Sequence, residues 1–230
     1  MKPESAELQK PEDECRIPAD SRPLDLKKLV VLISGYGSNL GAILEACASG
    51  ALPARVAAVI SNKSEAHGLE RARRAGVPAI YLPKPKELER RQYDARLAES
   101  AAVHRPDWIV LAGWMRVLSC AFLDCFPNRV VNLHPALPGC FPGTHAIQRA
   151  FEAFQRGEIG YTGVMVHLVP DEGVDSGPVL AQEIVPIEAA DTLETLEQRI
   201  HAVEHRLLIA ALRGLLATPD VEGLRSDGYG

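Results

Sequence analysis

The sequence has no C-x-x-C pair, no apolar run near the roughly 18 residues of a membrane span, and no excess of positive charge. Its five cysteines, at 15, 47, 120, 125 and 140, are odd in number and widely spaced, which argues against a disulfide framework or a structural zinc site. A reducing cytoplasm is the expected setting. A net charge of −5 removes any general affinity for nucleic acid or an anionic membrane, although a local basic pocket remains open. Small molecules are therefore the expected partners. The first residues, Met-Lys-Pro-Glu-Ser-Ala-Glu, lack the apolar core of a signal peptide, so a soluble, unexported protein is expected. There is no internal repeat, no G-x-G-x-x-G and no Walker lysine, which counts against dinucleotide or nucleoside triphosphate binding.

What is present is a chain of 230 residues, 47% apolar and 24% charged, the composition of one globular domain. Residues 1–27 mix Pro, Glu, Asp, Lys and Arg without a hydrophobic period and read as a disordered extension; residues 218–230 read as a tail. Between them, 28–217 form the expected domain. Leu29-Val-Val-Leu-Ile33 is a short apolar run suited to a strand buried on both faces, followed by a glycine loop and apolar positions 40, 43, 44 and 47 at helical spacing. The βα pattern recurs: strands at 56–60, 79–82, 108–112 and 130–133, and helices near 67–75 and 86–104. After Gly143 come a helix to about 156, extended runs at 162–169 and 178–187, and a long helix over 192–217. This alternation predicts an α/β fold, an open, mostly parallel twisted sheet with helices on both faces.

Asn132-Leu-His134 ends one of these strands and opens a loop rich in proline and glycine, Pro135–Gly143. Residues two apart share a strand face, so an amide and an imidazole lie together at the strand tip, with Asp175 available from a later loop. An amide can donate to a developing oxyanion, an imidazole can carry a proton near neutral pH, and a carboxylate can orient it. The set suits transfer of an acyl-type carbon; a buried structural histidine is the plain alternative. In open α/β sheets, ligands bind outside the carboxyl ends of the strands, so the segments 35–39, 113–118 and 132–143 are expected to converge. In the first of these, Gly37, Ser38 and Asn39 open a helix whose N–H groups and dipole suit a monophosphate, unless Ser38 or Asn39 is simply an N-cap. On the last helix, capped by Asp191 with Glu194 three residues on, Glu204 falls inside the apolar stripe, where a carboxylate is costly unless paired. It reads either as a salt bridge to Arg or Lys or as a ligand for a substrate amine or hydroxyls, and His201 lies one turn earlier. Asp171, Glu172 and Asp175 share a loop but lack the alternating spacing of an EF-hand, and no metal is expected.

The ordered motifs Val31-Leu-Ile-Ser-Gly-Tyr-Gly-Ser-Asn-Leu40, Val59-Ile-Ser-Asn-Lys63, Ala112-Gly-Trp-Met-Arg-Val-Leu-Ser119, Asn132-Leu-His-Pro-Ala-Leu137, Pro142-Gly-Thr-His-Ala146 and Asp171-Glu-Gly-Val-Asp-Ser-Gly-Pro178 resemble the phosphoribosylglycinamide formyltransferase family from about Lys28 to Leu216. The resemblance implies a Rossmann-like formyltransferase fold and 10-formyltetrahydrofolate as cosubstrate. It implies Asn132, His134 and Asp175 as the catalytic set, Gly37, Ser38 and Asn39 at the ribonucleotide phosphate, and Glu204 at its glycinamide or ribose part. Arg90 (beside Arg91), Met115, Arg116, Val117, Leu118, Asn132 and the backbone from Asp171 are implied for the folate side. Many members read His-Pro-Ser-Leu-Leu-Pro where this chain has His134-Pro-Ala-Leu-Pro-Gly, so the loop is expected to differ, and Tyr36 stands where small polar or basic residues are common. The implied reaction is direct formyl transfer to glycinamide ribonucleotide in purine synthesis. A formyltetrahydrofolate deformylase, using the same residues with water as acceptor, and a non-catalytic folate- or nucleotide-sensing domain are the rival readings. Methionyl-tRNA and sugar-nucleotide formyltransferases fit less well.

Overall fold

The computed structural model describes residues 26–217, and the expectations for residues 1–25 and for the tail at 218–230 lie outside them. Strand β1 (Lys27–Ile33) starts one residue before the expected domain edge and is fully buried from Leu29 onward. Its side chains alternate between two cores, as strand geometry requires. Leu29, Val31 and Ile33 enter one core with α1 (Ser38–Ala48), α2 (His67–Arg74), α5 (Ala146–Gln155) and α6 (Leu193–Ala217). Val30 and Leu32 enter the other, with α3 (Arg90–Ala102) and the short α4 (Cys120–Leu123). Only a strand covered on both faces has no polar face, which is why the run reads as continuous Leu, Val and Ile.

The remaining strands are β2 (Ala54–Ser61), β3 (Ala79–Tyr81), β4 (Trp108–Leu111), β5 (Val130–His134), β6 (Tyr161–Leu168) and β7 (Val179–Pro186). They form one seven-stranded sheet in the order β3-β2-β1-β4-β5-β6-β7. The pairings from β3 through β5 are parallel, whereas β5 with β6 and β6 with β7 are antiparallel. The expected open, mostly parallel sheet covered on both faces is the observed one. The chain leaves β1 outward to β2 and β3 and returns as β4 on β1's other side, so the strand order reverses between β1 and β4. Ligands in such sheets bind at that crevice.

Two local expectations shift, and one short helix was not expected. Helix α3 begins at Arg90 rather than near 86, because Glu89 and Gln92 form a capping box that defines its first turn. At α6 the reciprocal cap is made by Thr192 and Thr195, each hydroxyl accepting the other's backbone N–H, and not by Asp191 with Glu194. Asp191 instead takes a two-pronged bond from Arg199 at 2.7 and 2.8 Å. Helix α4 has only four residues, too few for a periodic signal in sequence. No helix among the described residues is long and apolar enough to cross a membrane.

The loop after β1 and the start of α2 touch at two glycines. A Cβ on Gly37 would lie 2.7 Å from Gly68 Cα, and one on Gly68 would lie 2.2 Å from Ile33 Cδ1. Gly68→Ala is therefore expected to destabilise by about 1–3 kcal/mol through overpacking, read as a lower urea midpoint with an unchanged slope.

Candidate active site

Strand β5 sends Val131 and Leu133 into the α1, α2, α5 and α6 core, so Asn132 and His134 emerge on the opposite face, beyond the cover of α3 and α4. The antiparallel register of β6 sets His167 directly across from Asn132. Cross-strand partners share a sheet face, and Asn132 Nδ2 lies 3.0 Å from His167 Nε2. Because His167 Nδ1 lies 2.8 Å from the Leu168 carbonyl and donates to it, its Nε2 is the acceptor for the amide. Asn132 Nδ2 also donates to Asp175 Oδ1 at 3.0 Å, and this orients the amide, since a flipped one would set its oxygen against a carboxylate. The second oxygen of Asp175 accepts the Gly143 N–H at 2.7 Å and lies 3.3 Å from His134 Nδ1. His134 Nε2 faces the Phe141 carbonyl at 3.1 Å.

Both nitrogens of His134 thus face acceptors, an arrangement that only an imidazolium satisfies fully. Burial pushes the His134 pKa below the ordinary imidazole value, and Asp175 and the Phe141 carbonyl pull against it without reversing the direction. Burial of Asp175 favours its neutral form, but the Gly143 N–H and the charge on His134 work against it, and its carboxyl is held below the usual range. The stabilisation linked to that depressed carboxyl is present above the unfolded value and lost as pH falls through the folded one. Asp175 itself has φ +49°, a left-handed conformation that aspartate tolerates better than most residues.

These groups line one wall of a cleft of about 210 Å³. Met115, Arg116, Val117 and Leu118 form another wall, with Asp171, Val174 and Asp175 from the loop between β6 and β7. The segment after β4 is held by Ser34, which donates its N–H to Gly113 O at 3.0 Å, accepts the Met115 N–H at 3.0 Å and donates to Asn62 Oδ1 at 2.7 Å. One hydroxyl therefore ties together the loops after β1, β2 and β4, a role that Ser34 does not announce in sequence. Arg116 lies with its guanidinium carbon 5.3 Å from the Tyr93 ring centroid. Arg90 does not line the cleft: it pairs with Glu172, whose other oxygen accepts the Cys120 N–H at 2.9 Å, and together they fasten the outer loop to α3 and α4.

On the other side of the crevice, α1 is capped by Gly37, at φ +73° and with no side-chain cap, so neither Ser38 nor Asn39 is the N-cap. The first turn closes through Gly41 N–H to Gly37 O at 3.0 Å, and the N–H groups of Ser38, Asn39 and Leu40 have no acceptor within the helix. Asn39 sends its side chain inward to Glu204 Oε2 at 3.1 Å. Glu204, 5% exposed, has His201 Nδ1 at 2.8 Å on the same oxygen, so its partners are an amide and an imidazole rather than Arg or Lys. The bond from Glu204, ahead of partial burial, raises the His201 pKa. Tyr36 is 65% exposed, with the Arg71 guanidinium carbon 4.7 Å from its ring centroid and Arg71 Nε donating to its carbonyl.

An amide donor, an imidazole and a carboxylate that meet in a cleft at the ends of the strands suit transfer of an acyl-type group. The formyl transferase family matches residues 27–212, and the chain belongs to it. Among its relatives is the phosphoribosylglycinamide formyltransferase of Schizosaccharomyces pombe, 48% identical over 201 residues that cover 82% of this chain and 96% of the relative. The Escherichia coli protein of the same name is 42% identical over 179 residues, 78% of this chain and 82% of that one. The crystal structure of glycinamide ribonucleotide transformylase 1 from Symbiobacterium toebii superposes with a TM-score of 0.77 at 44% identity, covering 82% of this chain and 86% of that one.

Asp175→Asn should lower the titration midpoint of His134 further, since the carboxylate is the strongest group raising it. It also removes one acceptor from the Gly143 N–H and Asn132 amide pair, costing about 1–3 kcal/mol. NMR titration of the ring together with thermal melts measures both; an unmoved midpoint would show that Asp175 serves the turn alone.

Proposed function

We propose that the chain transfers the formyl group of 10-formyltetrahydrofolate to the amine of glycinamide ribonucleotide in purine synthesis. The observation that carries this reading is the meeting of Asn132, His134 and Asp175 on the wall of the cleft. Formyl transfer needs a donor for a developing oxyanion and a route for one proton, and these three residues supply both. The phosphate takes the N–H groups at the start of α1, where Gly37 keeps the backbone bare. Glu204 takes the glycinamide or ribose part. The folate lies in the cleft against Met115 to Leu118, Asn132 and Asp171; Arg90 serves that side through Glu172. The reading includes a cytoplasmic location.

The substrate amine attacks the formyl carbon and its carbonyl oxygen becomes an oxyanion. That oxygen takes the His134 Nε2–H in place of the Phe141 carbonyl and shares the Asn132 amide hydrogens now given to Asp175 and His167. Growing negative charge raises the proton affinity of His134, and Asp175 stabilises the imidazolium from the Nδ1 side. One proton leaves the attacking nitrogen, passes through water beside Asp175 and reaches the departing folate nitrogen as the carbon–nitrogen bond to folate breaks. The products are the N-formylated ribonucleotide and tetrahydrofolate, with no covalent enzyme intermediate. Hydrolysis to formate, the deformylase reading, would use the same residues, but the relatives bearing the transferase name do not favour it.

The direct test supplies 10-formyltetrahydrofolate with and without glycinamide ribonucleotide and follows tetrahydrofolate and formate. Tetrahydrofolate appearing only with the ribonucleotide is the expected result; formate without it would move the assignment to a hydrolase. His134→Ala should lower turnover by about 10²–10³ while leaving ribonucleotide affinity intact, as isothermal titration beside steady-state rates will read. Gly37→Val forces a β-branched residue to φ +73° and drives its Cβ toward Gly68. Ribonucleotide binding should weaken far more than folate binding, and equal retention of both would leave the loop as a turn only.

A further inference from the structure

Between His134 and α5 the chain holds Phe141 at φ +45°, Gly143 at +81° and His145 at +58°. Phenylalanine is poorly suited to that left-handed region, which histidine tolerates better, so outside contacts hold Phe141 there. One is the Gly143 N–H bond to Asp175. The other comes from the second turn of α5, where Arg149 Nη2 donates to the carbonyls of both Phe141 and Pro142, each at 2.6 Å. Its guanidinium carbon also lies 5.9 Å from the Phe141 ring centroid. Arg149 does not face the cleft; it lines a shallow recess behind the loop, with His145, Gln148 and Glu152. The carbonyl it grips is the one 3.1 Å from His134 Nε2.

We infer that Arg149 is a positioning residue for His134: by clamping the Phe141 and Pro142 carbonyls it holds the Phe141 oxygen against Nε2 of the imidazole. The ring is thereby kept in the orientation that turns Nδ1 to Asp175, with a proton on Nε2. The Phe141 oxygen occupies the place on Nε2–H that the oxyanion takes in the proposed reaction, so the clamp organises the donor before substrate arrives. The inference rests on that reading for its catalytic meaning, but the state of the ring can be measured without turnover.

The groups facing His134 are Asp175 from the loop after β6, His167 from β6, Arg149 from α5 and the Phe141 carbonyl. The first and last favour the charged ring, while His167 and Arg149 disfavour it, and the carbonyl outweighs the guanidinium. Losing the clamp and losing only a positive charge therefore move the ring in opposite directions. In Arg149→Met the His134 midpoint, read by ¹⁵N-resolved NMR titration, should fall as the carbonyl drifts away. In Arg149→Lys, which keeps the charge but whose ammonium ends one bond short of the Nη2 that makes both bonds, it should fall at least as far. The kcat for formyl transfer should drop in both variants while the KM for ribonucleotide stays. A midpoint that rises in the Met variant and stays put in the Lys variant would make Arg149 a distant charge. Midpoints unmoved in both, with only a lower melting temperature, would make it a helix-to-loop prop. The titration reads the same whether or not the protein transfers formyl groups, so failure of this assignment is distinguishable from failure of the proposed reaction.

Discussion

The Asp175 carboxylate is the point on which the site closes. One oxygen takes the Asn132 amide; the other takes the Gly143 N–H and faces His134, and His167 lies 3.6 Å away. Strand β5, the loop that follows it and β6 are thereby joined to the loop that carries Asp175. A partly buried carboxylate is tolerable only with such a set of donors, and the donors in turn are oriented only because the carboxylate is there. The same contacts set the two nitrogens of His134 against different acceptors, one the carboxylate and one the Phe141 carbonyl.

That cluster depends on the sheet beneath it. Parallel strands β1, β4 and β5 deliver their loops to one edge, and the reversal of strand order between β1 and β4 opens a crevice there. The switch to antiparallel pairing at β6 then brings a second histidine across from Asn132, which a further parallel strand would not do in the same register. On the other side of the crevice, Gly37 and Gly68 let the starts of α1 and α2 approach closely, and Asn39 ties α1 to the carboxylate on α6. Ser34, between the two halves, holds the loops after β1, β2 and β4 with a single hydroxyl.

Several elements were legible because their causes are local. The run at 29–33 has no polar face, so burial on both sides followed from composition; the two-residue spacing of Asn132 and His134 put them on one strand face. Glu204 stood out because it breaks an apolar stripe. What paired it was not legible: its partners are Asn39, far away in sequence, and His201, whose position beside it on the helix was visible but whose contact was not. His167 carried no local sign of function, since its importance comes from the register of β6 against β5. Arg90 was expected at the folate side, but its pairing with Glu172 was not legible, and Arg149 drew no notice because a charged residue on a helix flank is ordinary until the loop folds back onto it.

By itself, the sequence determined the succession of strands and long helices, the doubly covered sheet, the family and the placing of Asn132 and His134 on one strand face, because these follow from hydrophobic period, turn chemistry and ordered motifs along the chain. The tertiary structure decided which donors meet which acceptors: the pairing of Asp175 with Asn132 and Gly143, the approach of Arg149 to the Phe141 carbonyl, and the placing of His167. Hydrogen bonds reach only about 3 Å, so their partners are chosen by strand register and loop closure, and neither is written within any one segment.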